Sequence, residues 1–364
     1  MNKKLKITLV AAIALTMIIG AYFAWQYFAS DSFAPLPPSP ADSGSEEPSK
    51  PAAPIAVSKN EVFDFWINKL TSEIYYINPQ GQIFKIGSDG IEQQITPQSF
   101  SDLAYIKPSF DGSAVLIAIG HSKNPTFSIF KSGTKSFSPL PSGTTAAAWD
   151  PSSNNRIVYL KNSGANSRLN IFTLNGQKSV EILKIAQYDL DLDWVRQDVV
   201  YLKTRPSNQY AGFILSYNIK SGAVKNIATG DGLLVRWFPE YKVGIEWLGK
   251  QLSVVDLDNK TLATINLKTI PSKCAFEQPL LFCAAVKNQN SLPLRFLPDN
   301  FLKKSLRRDE EVYALLSTDL ETRQRLDIFS KLPADNFLAD RLTIHGNELL
   351  FLNDLDHKLY SLPL

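Results

Sequence analysis

Short apolar runs separated by polar turns follow one another along residues 55–364 of the chain. The runs are rich in Val, Ile, Tyr and Phe, and clusters of turn residues interrupt them every eight to twelve positions. Such runs are typical of β-strands, whose successive side chains point to opposite faces of a sheet. Helical periodicity is hard to find in the same region. The pattern therefore predicts an all-β domain.

The strands form a repeat of about 40 residues. In each unit, a strand ending at an aromatic or apolar anchor is followed by a polar turn, two further strands and, in most units, a weaker outer strand. Four strands over this length are typical of one β-propeller blade. A pair of β-sandwiches is the alternative, which the regular anchor period disfavours. The prediction is a β-propeller of seven four-stranded blades, with anchors at Trp66, Phe110, Trp149, Trp194, Trp237, Phe276 and Ile344.

The two ends of the repeat predict how the ring closes. The seventh unit stops at "KLYSLPL", residues 358–364, without an outer strand. The apolar run "PIAVS" at 54–58 precedes the first complete unit and has no other partner. We expect this run to pair as the outermost strand of the seventh blade, because a propeller must close its ring.

The first thirty residues predict a membrane anchor. Lys3, Lys4 and Lys6 precede an uncharged run over 7–28 that is long enough, as a helix, to cross a bilayer. Aromatic residues end the run and acidic residues follow it, so the positive-inside rule places the rest of the chain outside the cytoplasm. A cleaved signal peptide is the alternative and implies the same location. We expect 1–30 to be a single transmembrane helix in the cell membrane, with its N-terminus cytoplasmic.

Composition divides the remaining chain and limits its partners. Residues 31–54 are rich in proline, serine and charge, which predicts a disordered linker between the anchor and the domain at 55–364. The net charge is only +3, from 38 basic and 35 acidic residues that are scattered along the chain. Proteins that bind nucleic acid gather their basic residues on one face. Nucleic acid is therefore not an expected partner.

Two turns resemble those of a known family. The stretch "PSFDGSAVLIAIG" at 108–120 resembles the Ser-Pro-Asp-Gly turn of TolB-like and WD-repeat-like β-propellers, with Phe110 in place of the proline. The stretch "AWDPSSNNRIVYL" at 148–160 is similar. This resemblance covers 55–364 as a repeat pattern and implies a rigid protein-binding platform outside the cytoplasm. TolB itself has six blades and a separate N-terminal domain, which this chain lacks, so no specific activity is implied.

Charged residues lie on the strands that are predicted to line the central channel. Buried charges need nearby partners, so these side chains are expected to lie close together at the channel mouth. They could satisfy one another, with Asp193 paired to Arg236 and Asp191 to a lysine, or they could hold a cation, a sugar or a peptide end. The candidate binding residues, one or three positions before the anchors, are Lys107, Asp191, Asp193, Arg236, Lys273 and Arg341.

Sequence signatures of catalysis are missing. The chain contains no G-x-S-x-G elbow, no H-E-x-x-H motif and no glycine-rich phosphate loop. His121, His345 and His357 show no paired ligand spacing, so neither a metal nor a cofactor is predicted. The expected function is a membrane-tethered, non-enzymatic binding or scaffolding module for an envelope protein, peptide or glycan. The alternatives are a carbohydrate-active hydrolase that uses channel-mouth carboxylates and a structural subunit of a surface assembly.

Two features of the sixth unit complete the predictions. Cys274 and Cys283 are the only cysteines, and a turn centred between Gln278 and Pro279 places them directly opposite each other on a hairpin. Because the predicted compartment is oxidising, we expect a disulfide. The segment 287–311 is an insertion of aromatic and basic residues. It would suit a partner or the membrane surface, or form a loop that packs on its own blade.

Overall fold

The computed structural model describes residues 54–121, 125–164, 166–207, 209–277, 280–286, 298–302, 310–316 and 338–364. The predicted anchor at 1–30, the linker up to residue 53 and most of the insertion at 287–311 lie outside the described residues. Within the described part of the chain, no helix is long and apolar enough to cross a membrane.

The described strands form seven antiparallel sheets, which follow one another along the chain. The first strand, β1 (Ile55–Ala56), belongs to the last sheet. The first sheet contains β2 (Asp64–Asn68), β3 (Glu73–Ile77), β4 (Ile83–Ile86) and β5 (Glu92–Gln94). The second contains β6 (Leu103–Pro108), β7 (Ala114–Ile119), β8 (Thr126–Lys131) and β9 (Ser136–Pro139). The third contains β10 (Thr144–Asp150), β11 (Ser153–Ser163), β12 (Asn166–Thr173) and β13 (Lys178–Ile185).

The remaining sheets continue the same order. The fourth contains β14 (Leu190–Arg196), β15 (Val199–Thr204), β16 (Ala211–Asn218) and β17 (Val224–Asp231), and the fifth β18 (Leu234–Phe238), β19 (Val243–Leu248), β20 (Gln251–Asp256) and β21 (Thr261–Ile265). The sixth contains β22 (Cys274–Glu277), β23 (Leu280–Val286) and β24 (Glu310–Leu316). The seventh contains β25 (Ala339–His345), β26 (Glu348–Asn353), β27 (Lys358–Pro363) and β1. Helical structure is limited to α1 (Asp299–Leu302) and two 3-10 turns, Pro239–Tyr241 and Pro271–Lys273, among the described residues.

Apolar clusters between neighbouring sheets join the seven sheets into a closed ring. Ile77 of the first sheet packs in one cluster with Phe130 of the second. At the last interface, Leu350 of the seventh sheet shares a cluster with Phe65 of the first. The architecture is the all-β propeller that the repeat predicts. Six sheets have four strands, and three strands of the sixth sheet are described.

The ring closes through the N-terminal run, as predicted. Strand β1 pairs with β27, with Ile55 opposite Ser361. Beyond the paired strands, the backbone N–H of Val57 donates to the carbonyl of Leu359 at 2.8 Å, and the N–H of Leu359 donates to the hydroxyl of Ser58 at 3.0 Å. The outer edge of β27 is therefore covered by residues from the start of the domain.

The predicted anchors do not all hold equivalent positions. Trp149 and Trp194 each pack into the interface with the preceding sheet. Trp66 faces the other way and packs against the second sheet, which follows its own. The assignment of Phe110 is wrong: strand β6 ends at Pro108, and Phe110 lies beyond it with 44% of its surface exposed.

The turn after β6 explains where Phe110 lies. The hydroxyl of Ser109 donates to the carboxylate of Asp111 at 2.9 Å, which closes the turn. Gly112 has a φ of 70° and lies so close to the first sheet that a Cβ would come within 1.8 Å of the carbonyl oxygen of Ile67. Only glycine fits this contact. The turn is thus held against the neighbouring sheet, and it carries Phe110 outward.

A disulfide joins Cys274 and Cys283, as predicted, across the first two strands of the sixth sheet. The two residues are direct partners in the register of β22 and β23, and their Cα atoms are 4.1 Å apart. Both are fully buried in the cluster between the fifth and sixth sheets. The link therefore stabilises a hairpin inside the ring.

We expect the double variant Cys274→Ser/Cys283→Ser to lower the free energy of unfolding by about 2 to 3 kcal/mol and still to fold. The link closes a short loop, since the cysteines are nine positions apart, so its loss relaxes only a small part of the unfolded chain. Urea denaturation of the variant, with reduced wild type as the control, measures the effect. A free-thiol assay that found both cysteines reactive in denatured, unreduced protein would contradict the disulfide.

Candidate functional site

The ends of the innermost strands surround a cavity of about 1680 Å³. Each innermost strand runs towards the turn that leads into the second strand of its sheet, so all seven turns meet at one end of the channel. We call this space the mouth cavity. Every sheet contributes to its wall, chiefly through residues 64–67, 106–110, 148–152, 193–197, 234–242, 275–277 and 341–346.

The structure places four of the six predicted charged residues in this wall: Lys107, Asp193, Arg236 and Arg341. Asp191 lies on the same strand as Asp193, outside the wall. Lys273 is also absent from the wall. It is only 5% exposed, and its ammonium group lies 2.8 Å from the carboxylate of Glu310. Lys273 therefore lies away from the mouth, against the expectation, whereas Asp191 lies beside the wall and contacts the wall residue Lys107.

Three of the predicted residues form one ionic network with Lys203. The Nζ atom of Lys107 lies 2.9 Å from Oδ1 of Asp191 and donates to the carbonyl of Leu192 at 2.8 Å. Lys203 lies 3.6 Å from Asp191 and forms a direct ion pair with Asp193. Two ammonium groups thus face two carboxylates, and the network carries no net charge. These side chains satisfy one another, as one of the two sequence interpretations expected.

The network connects sheets that are not neighbours. Lys107 belongs to the second sheet and Asp191 to the fourth, so their ion pair passes over the third. The innermost strand of the third sheet carries the small residues Ala146 and Ala148, which are buried against the fourth sheet. The indole N–H of Trp149 donates to the carbonyl of Lys107 at 2.9 Å. These contacts therefore connect the second, third and fourth sheets near the channel.

The charge state of Asp191 follows from this arrangement. Burial raises the pKa of its carboxyl, but Lys107 and Lys203 outweigh burial and hold the pKa well below its ordinary value of 3.8. A lowered carboxyl pKa means that the folded state favours the charged form. The network therefore stabilises the fold above pH 3.8, and this contribution is lost as the pH falls below that value.

The expected pairing of Asp193 with Arg236 is wrong. Lys203 lies on the strand directly hydrogen-bonded to that of Asp193, and it reaches the carboxylate from there. Arg236 instead turns to the start of the sixth sheet, where its Nη1 donates to the carbonyl oxygens of Cys274 in β22 at 2.7 Å and of Ser272 in the preceding 3-10 turn at 3.3 Å. Within the described ranges, no carboxylate forms an ion pair with Arg236.

Aromatic contact and burial define the environment of Arg236. Its guanidinium lies over the ring of Phe238, 5.1 Å from the ring centroid. Burial lowers the pKa of Arg236, and the more distant carboxylates of Asp340 and Asp64 only partly offset this effect. An arginine with a lowered pKa is still charged at neutral pH, because its ordinary value is 12.5. Arg236 is thus a half-buried positive charge in the wall.

Arg341 differs from Arg236 because it has a carboxylate partner. Its guanidinium forms an ion pair with Asp64 of the first sheet and lies 5.6 Å from the centroid of the Phe63 ring. Burial raises the pKa of Asp64 even beside this partner. The pair joins the seventh sheet to the first at the edge of the mouth cavity. Within the Arg341–Asp64 pair, the positive and negative charges therefore neutralise each other.

The rim of the mouth cavity carries exposed apolar side chains. Phe110 lines the cavity and is 44% exposed, and Leu70, next to the wall residue Lys69 in the turn between β2 and β3, is 75% exposed. Their turns touch, since the N–H of Lys69 donates to the carbonyl of Asp111 at 2.8 Å. The two side chains therefore belong to neighbouring turns on one side of the rim.

Sequence reasoning missed Lys203 because it considered only the innermost strands. Lys203 is the direct partner of Asp191 in the register of β14 and β15. The hairpin register that places Cys274 opposite Cys283 could also have predicted, for the hairpin of β14 and β15, that Lys203 lies opposite Asp191. The sequence therefore does contain a signal for this pairing, in a residue on β15, the strand that follows the channel-lining strand β14.

The histidines do not gather into a site. His345 lies in the wall of the mouth cavity, whereas His121 and His357 do not. In the part of the chain that the structure describes, no group of three or more His, Cys, Asp or Glu side chains is placed to hold a metal ion.

Comparisons with known proteins find similarity of fold without similarity of sequence. No family model matches the chain, and no curated protein matches it. A structure of oligogalacturonate lyase in complex with manganese has a TM-score of 0.56 at 11% identity, over 84% of this chain and 89% of that one. The structure of U3-55K has a TM-score of 0.55 at 10% identity, over 86% of this chain and 98% of that one.

TolB from Acinetobacter baumannii is a more distant match. Its TM-score is 0.42 at 10% identity, over 82% of this chain and 62% of that one. At these identities a likeness carries no activity from one protein to another. The comparisons show that this chain shares its fold with distantly similar β-propellers.

Proposed function

We propose that this protein is a non-enzymatic binding module, which holds an envelope protein, peptide or glycan at its mouth cavity. The observation that carries the proposal is the cavity itself: about 1680 Å³, framed by all seven sheets, with the charge of Arg236 in its wall and an apolar rim. A ring of sheets held by seven apolar interfaces is a rigid frame for such a site. Rigid, preformed sites lose little entropy on binding.

The carboxylates of the wall support binding over hydrolysis. Glycoside hydrolysis requires two carboxyl groups on either side of the bond, one to donate a proton and one to act as nucleophile or base. A carboxylate that is engaged in an ion pair within the protein is less available to contact a substrate. Three acidic residues of the wall are paired in this way: Asp64 with Arg341, Asp193 with Lys203, and Asp258 with Arg196.

The proposal includes the predicted location. The apolar run at 7–28 would anchor the chain in the cell membrane, and the linker at 31–54 would hold the propeller away from the membrane on the extracytoplasmic side. The disulfide between Cys274 and Cys283 supports this location, because disulfides persist in oxidising compartments.

The proposal also keeps the prediction of seven four-stranded blades. Six sheets have four strands, and the sixth sheet has three described strands. The rest of the predicted sixth unit, up to about residue 331, lies outside the described residues.

A photo-cross-linking amino acid at position 110, in the full-length protein in intact cells, tests the binding role. Phe110 is exposed at the rim, so this variant is expected to capture a discrete partner. The matched control is position 210, because Tyr210 is 74% exposed and lies in the β15–β16 connection, at the opposite end of its sheet. Equal capture from both positions, or none from position 110, would count against a binding role for the mouth.

A further inference from the structure

Arg236 is the charge of the mouth cavity that the described residues leave uncompensated. The other half-buried cations of the wall each have a carboxylate partner: Lys107 has Asp191, Lys203 has Asp193, Arg196 has Asp258 and Arg341 has Asp64. Arg236 is bound only by main-chain carbonyl oxygens. A half-buried charge without a counter-ion is costly, so a group that supplies the opposite charge gains free energy on binding.

The geometry of Arg236 suits a carboxylate. Its Nη1 is held by the carbonyl oxygens of Ser272 and Cys274, and its guanidinium lies over the ring of Phe238. Nε and Nη2 donate to no acceptor among the described residues, and Arg236 lines the mouth cavity. Two N–H groups of one guanidinium match the two oxygens of a carboxylate. An orientation held in advance makes that match more favourable.

The aromatic residues of the wall favour a peptide over a glycan. Sugars stack on exposed aromatic faces, but three of the four tryptophans in the wall, Trp66, Trp149 and Trp194, are at most 6% exposed, and Trp237 is half-buried. The exposed apolar groups at the rim are Leu70 and Phe110, which suit the aliphatic and aromatic side chains of a peptide.

We infer that the ligand is a peptide segment whose carboxylate binds Arg236 inside the mouth cavity while its apolar side chains contact Leu70 and Phe110 at the rim. The carboxylate comes from an acidic side chain or from the C-terminus of the peptide, since both present the same group. This inference rests on the proposed binding role and specifies the chemistry of its ligand.

Fluorescence anisotropy with three labelled pools of seven-residue peptides tests the inference on the full-length protein in detergent. The first pool contains one internal glutamate and an amidated C-terminus, the second replaces glutamate by glutamine, and the third has glutamine with a free C-terminal carboxylate. All other positions are mixed apolar and neutral residues. We expect the first or the third pool to bind at least about tenfold more tightly than the second, and the difference to shrink at high salt. Which pool does so identifies the source of the carboxylate.

Variants of Arg236 test whether this residue causes the preference for peptides that carry a carboxylate. Arg236→Gln should bind all three pools with the affinity that wild type shows for the neutral pool. Arg236→Lys, which keeps the charge but lacks the planar fork, should retain part of the preference. The control is Arg168→Gln on β12, outside the wall, where Arg168 pairs with Glu181 at 3.2 Å, and it should behave as wild type. Circular dichroism shows whether each variant is folded.

The outcomes separate this inference from the proposed function. Equal binding of all pools, weakened by Phe110→Ser, would overturn the carboxylate preference and leave the mouth as a binding site. Arg236-dependent binding of a uronic-acid oligosaccharide, with no peptide pool bound, would overturn the assignment of a peptide. If neither the peptide pools nor the oligosaccharide bound, the result would count against the binding role itself.

Discussion

Replacing Lys273 by alanine is expected to lower the free energy of unfolding by about 3 to 5 kcal/mol. Lys273 and Glu310 are both buried, with Nζ of Lys273 2.8 Å from the Glu310 carboxylate and 2.6 Å from the carbonyl of Ala339. The pair joins the sixth sheet to the seventh. Without the lysine, the Glu310 carboxylate would remain buried with no cation, which is the costly state.

The pH range of this effect follows from the pKa of Lys273. Burial lowers that pKa, but the carboxylate of Glu310 outweighs burial and raises it above its ordinary value of 10.5. A raised lysine pKa stabilises the fold below pH 10.5, and the contribution is lost only as the pH rises above that value. Burial also raises the pKa of Glu310 above its ordinary value of 4.5, so the carboxyl side of the pair does not add stability in the same way. Urea denaturation at pH 7 lies within the range in which Lys273 contributes.

Two controls make this prediction specific. Arg168→Ala breaks an exposed pair with Glu181 and should cost less than about 1 kcal/mol. Lys273→Met combined with Glu310→Leu should recover most of the lost stability, because apolar groups of similar volume can replace a buried ion pair. If Lys273→Ala cost no more than Arg168→Ala, the buried pair would have no structural role.

Deleting residues 55–59 is expected to destabilise the whole propeller by about 3 to 5 kcal/mol and to promote aggregation. The deletion removes β1 and the hydrogen bond from Val57 to Leu359, and it also removes the packing of Val57 between the seventh and first sheets. It exposes the edge of β27, whose backbone groups would then pair with other chains.

Thermal denaturation and light scattering measure this second effect. The control deletes five residues from the proline- and serine-rich linker, 41–45, which the sequence places outside the domain. An unchanged transition temperature for the 55–59 deletion would show that the closing strand is dispensable. A loss of stability from both deletions would show that the effect is not specific to ring closure.

The arrangement of charges at the channel distinguishes groups that pair with each other from one that does not. Lys107, Asp191, Asp193 and Lys203 form a neutral network that ties blades together. Arg236 lies in the same cavity wall but has no carboxylate partner among the described residues. The sequence interpretation treated Lys107, Asp191, Asp193 and Arg236 as members of one group. Only their distances show that the others pair with one another while Arg236 is bound by main-chain carbonyl oxygens.

The sequence alone determined the features that depend on short distances along the chain. Strand period, the repeat of about 40 residues and the run at 54–58 together predicted the propeller and its closure. Hairpin register predicted that Cys274 lies opposite Cys283. These features follow from strand geometry, because the length of a turn settles which residues of a hairpin face each other.

Tertiary structure alone decided which partner each charge takes. Asp193 pairs with Lys203 rather than Arg236, and Lys273 lies buried against Glu310 rather than at the mouth. Phe110 lies at the rim because the turn after β6 is held against the first sheet. Contacts between blades depend on how each sheet is rotated relative to the next and on the length of each side chain. Neither of these follows the regular strand pattern of the sequence.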